Sequence, residues 1–195
     1  MGRPRTRLVL GLGNPGSEYE GTRHNVGFEL VDRVARALGV GFHAQGRSLV
    51  ASTAVVRDGG ESVAVLLAKP TTYMNNSGRA ARDLAAEVEG RLDVLVACDD
   101  FHLPLGRMRA RAKGSAGGQN GLASVIEHLA GQDVARLRLG IGDPGRAPAE
   151  EFVLRPFKRA EEADVADMLD RAAAHLADWL VDGSMERLQQ AVNAA

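Results

Sequence analysis

The sequence predicts an α/β protein with a mixed sheet in a single domain. Short apolar runs alternate with stretches of helical periodicity along most of the chain. Two β-rich runs, 49–56 and 63–68, are separated by Asp58-Gly59-Gly60, a hairpin signal that adds an antiparallel pair to an otherwise strand–helix pattern. The 195 residues, 45% of them hydrophobic, suit one domain with one sizeable core. No repeat, low-complexity tract or interdomain linker interrupts them.

Met1 to Arg7 is short and basic and reads as a frayed terminus. Leu8-Val9-Leu10 is a buried strand, and it runs into Gly11-Leu-Gly-Asn14-Pro-Gly16, a turn rich in glycine. His24 follows, between Arg23 and Asn25. An amphipathic helix then carries Phe28, Leu30, Val31, Val34, Ala35 and Leu38 for about three turns, closed by Gly39 as its C-cap. Gly11, Gly13 and Gly16 match a dinucleotide-binding fingerprint, but there the helix opens inside the glycine run. Here Pro15 and the polar residues 17–25 delay it, and the acid expected about 20 positions on falls inside the helix. The match is therefore read as a decoy.

After the hairpin comes Lys69-Pro-Thr-Thr-Tyr73-Met74-Asn75-Asn76-Ser77-Gly78, where Asn76 or Ser77 can cap a helix running through Leu84 and Val88. Val94 to Cys98 is a continuous apolar run, expected as a central strand buried on both faces and ending in Asp99-Asp100. From Gly106 to Lys113, Arg107, Arg109, Arg111 and Lys113 alternate with small or apolar residues. One strand face is therefore basic. Merely solvated arginines would read the same way, but four like charges on one face repel and gain nothing without a polyanion. A second glycine loop, 114–121, leads to a short helix through Leu122 and Leu129. A strand at 136–142, a short apolar segment Phe152-Val153-Leu154 closed by Pro156, a long helix over 161–181 and a last one over 184–192 complete the chain.

The single cysteine gives no disulfide framework and implies a reducing compartment. No apolar run approaches the roughly 20 residues of a membrane span, and no signal-peptide core is seen. A soluble cytoplasmic protein is expected. The formal charge of −1 hides an asymmetry: residues 150–195 hold ten acids and five bases, leaving fifteen acids and nineteen bases before them. A local basic face is compatible with the near-neutral total.

Four blocks together resemble the bacterial peptidyl-tRNA hydrolase family. They are Gly11-Leu-Gly-Asn14-Pro-Gly with Tyr19 and Thr22-Arg-His24-Asn-x-Gly-Phe28; Lys69-Pro-x-Thr-Tyr-Met-Asn75-x-Ser-Gly78; Asp99-Asp-x-x-Leu-Pro-x-Gly106; and Gly117-Gly-x-Asn120-Gly-Leu122. They keep the family's order over most of residues 8–142. The resemblance implies one α/β domain over 1–195, a twisted mixed sheet flanked by helices on both faces. It implies hydrolysis of the ester joining a peptide to the terminal ribose of tRNA, with peptidyl-tRNA as the partner and no cofactor, metal, membrane or obligate protein partner. A monomer is expected.

Carried over residue by residue, the resemblance makes His24 the catalytic histidine and Asp99 its carboxylate. Asn14, Asn75 and Asn120 become the amides that hold substrate and water. Tyr19, Tyr73 and Met74 line the cleft, and Arg109, Arg111 and Arg138 contact tRNA phosphates. One position departs: Gln119 stands where most members carry histidine, which leaves a second-histidine role unsupported, although an amide can still hydrogen-bond.

The chemistry stands independently of the family. Ester hydrolysis needs a base for water, a group that orients it, and donors for the developing oxyanion. Histidine suits the first task near neutral pH, and a carboxylate at a buried strand end can fix its tautomer. Asparagine amides both donate and accept, so they grip peptide backbone whatever its side chains. No Gly-x-Ser-x-Gly elbow appears and Cys98 ends an apolar strand, so water attacks directly. Taken singly, Asp99 could cap a turn and Asn75 a helix. His43, His128 and His175 read as fillers, and His102 lacks a second ligand at metal spacing. The rivals are an RNA-binding protein that no longer cleaves and a small nucleotide-dependent enzyme.

Overall fold

The computed structural model describes residues 4–57, 59–129 and 134–193. Among these residues, seven strands form one sheet in the order β2-β3-β4-β1-β5-β7-β6. They are β1 Arg5–Gly11, β2 His43–Gln45, β3 Ser48–Val56, β4 Ser62–Pro70, β5 Arg91–Asp100, β6 Met108–Arg111 and β7 Ala135–Gly140. The inner four, β4-β1-β5-β7, are parallel, while β3 and β6 join antiparallel at the two sides. The mixed sheet expected from the hairpin is therefore present. Asp58, of the turn that signalled it, lies outside the described residues, as do Met1 to Arg3.

Strand periodicity divides the core. Leu8 and Leu10 face one way, with Val94 and Val96, toward α2 (Ser77–Ala86) and α3 (Asn120–His128). Val9, Leu95 and Leu137 face the other way, toward α1 (Val26–Leu38), α5 (Glu162–Asp182) and α6 (Met185–Asn193). Helices thus cover both faces of one domain. α1 ends as its sequence requires, on Gly39 in the left-handed region at φ 68°.

One expectation needs correction, and two elements carried no signal of their own. The basic start is not frayed from Arg5 onward: β1 begins there, and Arg7 is fully buried with its guanidinium donating to the Leu180 carbonyl of α5. Of the apolar segment at 152–154, Phe152 and Val153 end a short helix, α4 (Ala149–Val153), which Pro148 precedes and two glutamates open; Leu154 follows as its C-cap. β2 had no visible signal, since its three residues are largely exposed and alternate nothing apolar. Among the described residues no helix is long and apolar enough to cross a membrane.

The parallel strands β4, β1, β5 and β7 all end at one side of the sheet. Open α/β sheets bind ligands there, and the motif residues collect there.

Candidate active site

The loop after β1 is held by contacts only glycine permits. A Cβ on Gly27 would collide with the Leu12 and Ala97 carbonyls, and one on Gly11 with the Gly27 carbonyl. The first turn of α1 therefore presses directly on the ends of β1 and β5. Gly16, at φ 113°, turns the chain into a one-turn 3-10 helix at Ser17–Tyr19, and a second one, Arg23–Asn25, delivers His24. No helix opens inside the glycine run, so no helix N-terminus faces a pyrophosphate there.

Two buried asparagines lock this loop to itself. Asn25 Nδ2 donates to the Asn14 carbonyl at 3.0 Å, and the Asn14 N–H donates back to Asn25 Oδ1 at 2.8 Å. Asn14 Oδ1 accepts from the Met74 N–H at 2.8 Å. With Oδ1 turned to Met74, the Asn14 NH2 is the end of the amide left for the cleft it lines.

Arg23 anchors the other side of the turn. Its side chain is buried between the rings of Phe152 and Phe157, 4.5 and 4.6 Å from their centroids. It donates to the Ile141 carbonyl at 2.9 Å and to Glu161 at 2.6 Å. Its backbone N–H meets the Arg155 carbonyl.

These supports bring His24 Nδ1 to 2.9 Å from Asp99 Oδ2. Asp99 is almost fully buried near the end of β5, whereas the His24 ring keeps some exposure. The other Asp99 oxygen, Oδ1, accepts from Gln119 Nε2 at 2.9 Å. Next along the strand, Asp100 accepts from Arg138 at 2.9 Å and from the His102 N–H at 2.8 Å. Cys98 is buried, and desolvation, aided by the neighbouring Asp99 charge, pushes its thiol well up. It is no nucleophile.

His24, Asp99, Asn14, Asn120 and Arg138 all line one open cleft of about 430 Å³. Its far wall is α4 and the next residue, through Ala149, Glu150, Val153 and Leu154. The remaining expected substrate contacts stand just outside it. Met74 is buried behind the wall, its sulfur 3.4 Å from Gln119 Nε2. Tyr73 is exposed and meets Tyr19 edge to face, ring centroids 6.4 Å apart. Asn75 is exposed beside it. Among the described residues no group of three or more histidines, cysteines and acids is placed to hold a metal ion.

The basic strand alternates as expected. Met108 and Ala110 are buried, and Arg109 and Arg111 are exposed. Antiparallel pairing puts Arg109 opposite Arg138 and Arg111 opposite Arg136. A shallow cavity of about 420 Å³ lies over these four and Lys113, and it shares Asp100, His102, Gly117 and Arg138 with the cleft. Arg138 is committed elsewhere, donating also to the Ala116 carbonyl at 2.6 Å. Arg136 is buried and holds the Gly114 carbonyl at 2.7 Å; burial, then the neighbouring Arg138, lowers its pKa. Arg109 and Arg111 make no ion pair among the described residues.

Sequence reasoning passed over Asn25, the contact between Gln119 and Asp99, and the α4 wall. Asn25 stood beside His24 in the same block and signalled itself only by position.

The family model described as peptidyl-tRNA hydrolase matches residues 8–195. A peptidyl-tRNA hydrolase of Leuconostoc mesenteroides is 44% identical over 191 residues, covering 96% of this chain and 99% of that protein. One of Parasynechococcus marenigrum is 49% identical over 195 residues, covering 94% and 87%. The crystal structure of peptidyl-tRNA hydrolase from Acinetobacter baumannii superposes with a TM-score of 0.80 at 31% identity, over 97% of this chain and 95% of that one.

Proposed function

Because the chain belongs to the peptidyl-tRNA hydrolase family, we propose that His24 is the general base that drives water onto its substrate's ester. The enzyme hydrolyses the bond between the peptide and the 3′-terminal ribose of peptidyl-tRNA and frees the tRNA for translation. The observation that carries the residue roles is the 2.9 Å contact between His24 Nδ1 and Asp99 Oδ2 at the wall of the cleft.

With Nδ1 committed to a carboxylate, the neutral ring keeps its lone pair on Nε2 and turns it to the cleft. Nε2 takes a proton from water as the oxygen attacks the ester carbonyl, and Asp99 stabilises the imidazolium that forms. The Asn14 NH2 and the Asn120 amide at the start of α3 donate to the peptide and to the oxyanion. The proton on Nε2 then passes to the departing ribose oxygen. No covalent intermediate is needed. Tyr19, Tyr73 and Asn75 extend the substrate surface beyond the cleft, and the buried Met74 backs its wall through Gln119. The exposed Arg109 and Arg111, with Arg138 at the junction, meet tRNA phosphates. The enzyme acts as a monomer in the cytoplasm, without metal or cofactor.

Asp99→Asn tests the pair. The amide would donate to Nδ1 and favour the tautomer that lacks a free Nε2 lone pair. A folded enzyme with kcat lowered roughly 10²–10⁴-fold on peptidyl-tRNA is expected; unchanged turnover removes Asp99 from the mechanism.

A further inference from the structure

Every polar atom of the Gln119 side chain is used. It is 8% exposed. Oε1 accepts from the Leu122 N–H at 2.8 Å, capping the first turn of α3. Nε2 donates to Asp99 Oδ1 at 2.9 Å and lies 3.4 Å from Met74 Sδ. These partners settle which way the amide faces. A backbone N–H can meet only the carbonyl oxygen, and a carboxylate can meet only the NH2, so flipping the amide would set like against like at both ends.

A continuous path of hydrogen bonds results, from the α3 N-terminus through Gln119 to Asp99 and on to His24. Asp99 is buried at the end of β5 and has two oxygens that compete for any donor in reach. Without Gln119, Oδ1 would lose its fixed protein donor, and the carboxylate would be free to rotate away from the ring.

We propose that Gln119 is a positioning residue for hydrolysis: by holding Asp99 Oδ1 it commits Oδ2 to His24 Nδ1. The proposal rests on the His24–Asp99 reading above. A neutral imidazole offers one donor and one acceptor, the same pair the amide supplies to Asp99 and Leu122. What the position requires is a donor toward Asp99 and an acceptor toward α3, not a titratable group.

The requirement orders three substitutions. Gln119→His keeps a donor and an acceptor. Gln119→Leu keeps the bulk and loses both. Gln119→Glu can still cap Leu122, but it sets a second carboxylate against Asp99. The experiment is steady-state hydrolysis of peptidyl-tRNA by the three variants, with kcat and KM separated and thermal unfolding recorded for each. For Gln119→Leu, kcat is expected to fall roughly 10- to 100-fold, the scale usual for partners that orient a functional side chain, with KM within about threefold. Gln119→His recovers most of that loss, and Gln119→Glu loses at least as much as Gln119→Leu.

Equal kcat for folded Gln119→Leu and the parent overturns the proposal. So does equal impairment of the His and Leu variants, which would mark a packing role. Where Gln119→Leu fails to fold, the contrast between the similar-sized Glu and polar His variants decides. Asp99→Asn is measured alongside, alone and combined with Gln119→Leu. If Gln119 acts through Asp99, the double variant is no slower than Asp99→Asn alone. A fully active Asp99→Asn defeats the parent reading instead, whereas a slow Asp99→Asn beside an undiminished Gln119→Leu defeats this proposal only.

Discussion

The side chain of Asn193 pairs with the backbone of Ala110 in both directions. Oδ1 accepts the Ala110 N–H at 2.8 Å, and Nδ2 donates to the Ala110 carbonyl at 3.1 Å. Ala110 lies in β6, at one edge of the sheet, between Arg109 and Arg111. An amide from the end of α6 thus takes the place of a neighbouring strand and covers the open edge.

Asn193→Ala should therefore loosen the basic strand rather than the active site. Two hydrogen bonds at about 0.5–1.5 kcal/mol each bound the loss of stability. The expected outcome is a slightly lower unfolding midpoint and a severalfold rise in KM for full-length substrate, with kcat unchanged. Loss of kcat at unchanged KM would place the role of Asn193 elsewhere.

Arg109 and Arg111, with Lys113, are exposed cations of the rim, whereas Arg138 is tied to Asp100 and the Ala116 carbonyl. Arg109→Ala with Arg111→Ala should raise KM and flatten the dependence of log KM on log salt, the slope falling by somewhat less than one for each phosphate no longer neutralised. A short aminoacyl-ester mimic, with no phosphates to reach these arginines, should be hydrolysed as before. Equal losses on the mimic would count against the phosphate role.

Arg23 holds the His24 turn through Glu161. Partial burial works to raise the Glu161 carboxyl, but the Lys158 N–H and the Arg23 guanidinium outweigh it and hold the group below its ordinary value. A carboxylate depressed in this way contributes stability above its unfolded pKa of about 4.3 and loses it as pH falls through the lower folded value. Glu161→Gln should accordingly be less stable than the parent at neutral pH, the two converging as the solution is acidified below about pH 4. Urea midpoints measured over that range check the sign; a gap that widens on acidification contradicts it.

Periodicity made the buried elements legible. β5 announced itself because its apolar run is covered on both faces, and α1 because one stripe is apolar and Gly39 can take a positive φ. α4 was hidden, since five residues are too few for a helical period and Phe152-Val153 reads equally well as strand. Arg7 looked like solvated charge, because nothing local reveals that α5 will cover β1. At the site, the motifs carried His24, Asp99, Asn14 and Asn120 to one cleft. They could not separate a cleft wall from its support, which is why Met74 stands behind the surface and Arg138 is committed to a loop. Those distinctions depend on long-range pairing that no local pattern encodes.

The most direct measurement is kcat of His24→Ala on peptidyl-tRNA, taken with its affinity for the same substrate and its unfolding midpoint. Removing a general base should lower kcat roughly 10²–10⁴-fold while leaving binding and stability near those of the parent. Turnover within about threefold of the parent, by a variant that folds and binds normally, would contradict the assignment of His24 as the base.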